Sequence, residues 1–144
     1  IYALLFGMPG TPALYYGSEW GISGEKAPCS DAGLRPALEK PEWNALTSWI
    51  ARLAAARRGS PALREGSYRN VLLTNLQLIF ERRTETERVL VAVNADSQPY
   101  TAHFDAGCGL AWDLITGEKH DFGGGSELPP YSPPYSAFFW KMER

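Results

Sequence analysis

Residues 6–21 read FGMPGTPALYYGSEWG. An apolar, helix-like turn runs into Gly7, Pro9, Gly10 and Pro12, four strand-type residues follow at Ala13–Tyr16, and Gly17 and Glu19 come next. One buried strand with an acid just past its C-terminal end is the pattern of a stave in a parallel barrel, and such an acid stands at the face where barrels do chemistry. A single stave needs neighbours to complete its ladder. Ile1–Phe6, ahead of it, reads as the last turns of a buried helix. A start at Ile1 rather than Met, inside an apolar stretch, leads us to expect that the natural sequence continues upstream.

Downstream the pattern changes twice. From Glu42 to Arg58, apolar residues fall at Trp43, Leu46, Ile50 and Leu53, with Trp49 and Ala54 widening the stripe, which is helical spacing. Pro41 marks the entry of this amphipathic helix, and Gly59 with Pro61 its exit. After Gly59 the period becomes two. Short runs at Val71–Thr74, Leu76–Arg83 and Val89–Asn94, then Tyr100–Phe104, Leu110–Ile115 and Ser136–Met142, are separated by turns such as Thr84–Glu87, Asn94–Asp96 and Thr116–Glu118. That spacing predicts an antiparallel β-sandwich. Val89–Val93, apolar on both faces, is expected to be a central strand, and Leu76, Leu78 and Phe80 to cover one side only. The boundary falls near Gly59. The echo PPYSPPYS at residues 129–136 reads as an extended lead into the last strand, or else as a polyproline ligand.

Composition narrows the function. With 144 residues, 44% of them apolar and 21% charged, the chain suits one globular domain or part of one joined to a smaller second; disordered and collagen-like classes are excluded. The net charge of −2 includes no basic stripe, since Arg52, Arg57 and Arg58 gather only where a helix C-terminus favours cations, so no nucleic acid partner is expected. No run is long and apolar enough for a membrane partner, and no signal segment is evident. Cys29 and Cys108 lack disulfide or zinc spacing, so no metal or other cofactor is expected, and two free thiols point to a reducing, cytoplasmic compartment. His103 and His120 stand alone and read as surface residues.

The motif MPGTPALYYGSEWG at residues 8–21 resembles the eighth barrel strand of the alpha-amylase superfamily, glycoside hydrolase family thirteen. The downstream order agrees: a loop with Asp31 and Arg35-Pro36, an amphipathic helix, LREGSYR at Leu63–Arg69, and RVLVAVNAD at Arg88–Asp96. Neopullulanase, cyclomaltodextrinase and maltogenic-amylase members are the most similar in character. The resemblance implies an α/β plus all-β fold: residues 1–58 as the last helix–strand–helix segment of a (β/α)8 barrel, incomplete here, and residues 59–144 as a β-sandwich C-terminal domain. It implies a parent enzyme that hydrolyses α-1,4 or α-1,6 glucosidic bonds of α-glucans or maltooligosaccharides with retention. The family's three catalytic acids belong to earlier strands, so no catalytic residue is assigned in this chain, which is expected to be inactive alone.

Site residues follow from the same resemblance. Tyr16, Gly17 and Glu19 take structural places at the barrel mouth. Asp31 and Arg35 match a family loop whose aspartate and arginine hydrogen-bond sugar hydroxyls: a carboxylate accepts from vicinal hydroxyls and a guanidinium fork donates to them. The alternative is that they pair with each other or with solvent. Ala32 and Ala37-Leu38 depart from the family's loop. Trp20 is either a packing residue or a sugar-facing plate. An alternative function, from another class, is a non-catalytic sandwich that binds carbohydrate or a partner protein, with Tyr68, Tyr100, Trp112 and Tyr131 as stacking residues. Residues 1–58 are expected to be distorted, swapped, or docked on the missing barrel segment or a second copy of the chain.

Overall fold

The computed structural model describes residues 1–38, 40–107, 109–123 and 135–143. Among the described residues, three α-helices, α1 (Tyr2–Gly7), α2 (Ala45–Gly59) and α3 (Pro61–Glu65), precede six strands: β1 (Ser67–Leu73), β2 (Gln77–Arg83), β3 (Arg88–Asn94), β4 (Leu110–Asp113), β5 (Lys119–Asp121) and β6 (Ser136–Met142). The strands form one antiparallel sheet in the order β1-β2-β3-β6-β4-β5. β3 is internal, as its two apolar faces predict. Of the expected sandwich, the described residues show one sheet, with a core on each face.

Alternation along the strands explains both cores. Val89 and Val91 of β3, Phe80 of β2 and Phe139 of β6 share one cluster with Ala3 and Phe6 of α1 and with Ile50, Leu53 and Ala56 of α2. The alternate residues Leu90, Ala92, Ile79, Trp140 and Met142 form the other, closed over by Ala102, Phe104, Ala106 and Phe122. Residues 100–104 therefore serve as a cover rather than as a named strand. β2 is buried on both faces, since Ile79 is fully enclosed, in contrast to the one-sided strand expected there.

The first half departs most from expectation. α1 and α2 are neither distorted nor swapped; they pack on this chain's own sheet. Gly7 sits so close to it that an added Cβ meets Phe80 and Val91 at 3.0 Å. Ala13–Tyr16, by contrast, forms no strand. No neighbouring strand runs beside it, and a lone strand has no ladder to complete. Residues 11–14 make no hydrogen bond to any described residue, and Thr11, Ala13 and Leu14 are exposed. α2 starts later than Pro41 suggests, because Asn44 and Thr47 close a reciprocal capping box at Ala45, leaving Trp43 outside the helix and 74% exposed. Cys108, Tyr131 and residues 129–134 of the proline-rich echo lie outside the described residues.

Candidate functional site

After Tyr16 the chain reverses. Gly17 adopts φ 84°, a left-handed conformation that favours glycine, and Ser18 N–H donates to the Tyr15 carbonyl at 3.1 Å while Ile22 N–H donates to that of Gly17. Tyr15 and Tyr16 are left 58% and 47% exposed with ring centroids 4.9 Å apart. The loop beyond crosses itself at a neck: a Cβ on Gly24 would lie 2.1 Å from the Gly33 carbonyl oxygen, so only glycine fits. Tyr15, Tyr16, Asp31 and Arg35 thereby line one open cleft of about 390 Å³, together with Ser18, Ile22 and Leu34.

The turn is anchored from behind. Tyr2 donates its hydroxyl to the Ser18 carbonyl at 2.9 Å, Thr47 to that of Glu19 at 2.9 Å, and the Asn44 amide to that of Trp20 at 3.0 Å. These contacts hold the backbone of Glu19 and Trp20. Neither lines the cleft, and Trp20 is half-buried. One carboxylate oxygen of Glu19 is buried without a hydrogen-bond partner among the described residues.

Asp31 and Arg35 do not pair with each other. Asp31 lies 3.8 Å from Lys26, and both are exposed. Desolvation, then Tyr15, hold the Tyr16 phenol above its ordinary value, with the nearby Arg35 charge pulling the other way. The cleft thus presents two phenols, a carboxylate and a guanidinium, suited to gripping a polyhydroxylated ring. Retaining hydrolysis needs two carboxyl groups about 5 Å apart. Asp31 is the only carboxylate among the described residues lining this cleft. No group of three metal-ligating side chains occurs among the described residues, and no helix is long and apolar enough to cross a membrane.

Tyr68, Tyr100 and Trp112, the described members of the stacking set expected in the second half, go to separate places. Tyr68 rests on Phe80, Tyr100 packs into the second core, and Trp112 donates to Glu143 at 2.8 Å with the Lys119 ammonium 4.4 Å over its ring. His120 is half-buried and stacks on Trp140, unlike the surface histidine expected there. Tyr15, Gly24 and Gly33 are among the cleft residues that sequence reasoning did not name as site residues; the tyrosine pair and the two loop glycines were the available signals.

No family model matches the chain. A cyclomaltodextrin glucanotransferase of Bacillus sp. (strain 38-2) is 30% identical over 119 residues, which is 81% of this chain and 15% of that protein. The alpha-amylase MalA of Haloarcula japonica is 32% identical over 127 residues, 79% of this chain and 17% of that protein. The alpha-amylase of Geobacillus thermoleovorans, solved with acarbose, shares the fold with a TM-score of 0.86 at 18% identity, over 99% of this chain and 32% of that one. The chain therefore spans about a sixth of the length of these curated relatives. Over about four-fifths of its length the chain is thus similar to a cyclomaltodextrin glucanotransferase and an alpha-amylase, and it shares its fold with a solved alpha-amylase.

Proposed function

We propose that this chain is the C-terminal portion of an α-glucan-acting glycoside hydrolase. Residues 1–58 supply the last segment of its barrel and residues 59–144 its C-terminal β domain. The parent cleaves α-1,4 or α-1,6 glucosidic bonds with retention, through a glycosyl-enzyme formed on carboxylates that another part of the polypeptide contributes. The observation that carries this reading is the stretch 11–14, without a hydrogen bond among the described residues, leading into a cleft that Asp31, Arg35, Tyr15 and Tyr16 line together. An extended segment with open backbone groups is an edge made for strand partners. The named relatives are glucanotransferases and an alpha-amylase, so the reading goes no finer than the family.

Within that enzyme, Asp31 accepts hydrogen bonds from vicinal sugar hydroxyls and Arg35 donates to the neighbouring ones. Neither acts as acid or base. The tyrosine rings offer flat apolar surface for the sugar's faces. The shared core of α1, α2 and the sheet argues against a freely detachable carbohydrate-binding sandwich, because removing the helices uncovers Phe80, Val91 and Phe139.

Two assays on the full chain test this reading. The purified chain is expected to release no sugar from maltoheptaose, and turnover overturns the assignment. Calorimetric titration with maltotriose is expected to show binding that weakens about tenfold in Asp31→Ala or Arg35→Ala and is unchanged in Trp112→Ala. Loss of binding confined to Trp112→Ala favours the sandwich-face alternative.

A further inference from the structure

Two buried arginines have no carboxylate partner among the described residues. Arg57 of α2 is 7% exposed and Arg82 of β2 is 1% exposed. Arg57 donates to the carbonyls of Phe6 at 2.7 Å, Met8 at 2.9 Å, and Gly10. Arg82 donates to those of Gly7 at 2.7 Å and Gly66 at 2.9 Å. Four of these five acceptors fall within residues 6–10. Burying a guanidinium costs several kcal/mol, and well-packed apolar side chains commonly replace buried charges at no loss of stability. Here two like charges stand close enough to repel, and burial followed by Arg57 holds Arg82 below the ordinary arginine value. Stability alone is a poor reason for the pair.

Their position supplies a better one. Phe6 and Gly7 carbonyls lie at the end of α1, where a helix leaves acceptors unfilled. Met8 and Gly10 begin the extended run that leaves the core. From there residues 11–14 are unsupported until Tyr15 and Tyr16 reach the cleft, and the turn behind them is pinned by Tyr2, Asn44 and Thr47. A span tied at two ends is placed by its ties. A guanidinium fork can hold several carbonyls in fixed directions, which an ammonium cannot. We infer that Arg57 and Arg82 are positioning residues for the cleft: they fix where the chain departs at Gly10, and so where Tyr15 and Tyr16 stand. The inference rests on the reading of the cleft as a sugar site only for its effect on binding.

The test uses Arg57→Lys and Arg82→Lys in the full chain, which keep the charge and lose the fork, with Ile79→Ala in the opposite core as a control of comparable instability. Amide exchange by NMR is the readout. The amides of Ser18 and Ile22 are expected to exchange about tenfold faster in each lysine variant, with β3 amides changing less than twofold. In Ile79→Ala the two regions are expected to change together. Rates at Ser18 and Ile22 that merely follow β3 in the lysine variants overturn the inference. Should Arg82→Lys fail to fold, Arg57→Lys carries the test, because its described hydrogen bonds all go to residues 6–10. Maltotriose affinity is expected to fall about tenfold in the lysine variants. Absence of binding in the unaltered chain counts against the sugar-site reading, and the exchange rates still decide on the arginines.

Discussion

Glu87 ties three parts of the molecule through one carboxylate. One oxygen accepts from the Ser60 hydroxyl at 2.6 Å and the Ala62 amide at 2.8 Å at the start of α3, and the other meets Lys141 of β6 at 2.9 Å. On the opposite face, Glu81 is buried between Arg69 and Arg88. Burial pushes both carboxyls up, but their donors outweigh it, the Ser60 hydroxyl and Lys141 for Glu87 and the two arginines for Glu81, and both rest below the ordinary 4.5. A carboxyl depressed in the folded state contributes stability above its unfolded value and loses it as pH falls through the folded one. The thermal midpoint is therefore expected to hold from neutral pH to about 4.5 and to decline below it, with a shallower decline in the Glu81→Gln/Glu87→Gln double variant. Calorimetry across pH 3–7 checks this; parallel declines in the two proteins count against it. At neutral pH, Glu87→Gln alone is expected to cost about 2 kcal/mol in urea denaturation.

At the scale of elements, the start of α2 does two jobs. The Asn44 side chain accepts from the Thr47 amide at 2.9 Å as a helix cap, while its own amide group donates to the Trp20 carbonyl behind the cleft. Asn44→Ala is expected to cost about 1 kcal/mol and to speed exchange at Ile22. Asn44→Asp separates the two roles: the carboxylate still caps, but it has no donor for Trp20, so stability should recover while Ile22 exchange stays fast. Equal recovery of both would refute the tether.

Much of this layer was legible in the sequence. Period-two patterning located β2, β3 and β6, and the 3.6 period located α2, because burial on defined faces writes those periods directly. The residues Lys119–Asp121 of β5 have too short a run to write any period. The inward Arg57 was legible in principle, four residues after Leu53 on the same stripe, but a cation at a helix C-terminus has an equally good reason to face water. Ala13–Tyr16 shows the limit of local reading. Its strand propensity is real, and what is lacking is a partner supplied by residues beside it. The loop pattern singled out Asp31 and Arg35 as candidates, whereas the cleft they share depends on the Gly24–Gly33 crossing, which spacing alone does not reveal.

At the scale of the whole molecule, the helical first half and the sheet share one core, so neither surface is buried without the other. Leu53 of α2 is fully enclosed there, in one cluster with Phe6, Phe80, Val91 and Phe139. Arg57 of α2 and Arg82 of β2 add ties to backbone carbonyls within residues 6–10. Such interlocking predicts one cooperative transition rather than two. Helix loss followed by far-ultraviolet circular dichroism and sheet loss followed by the fluorescence of Trp140, in a variant with phenylalanine at the other four tryptophans, should trace the same urea curve, since Trp140 is buried in the sheet's second core. Leu53→Ala is expected to move both curves together by about 3 kcal/mol, the usual cost of a cavity left by an enclosed leucine. If the helical signal shifts and the tryptophan signal does not, the two halves are energetically separate, and the sheet does not need the helices that cover it.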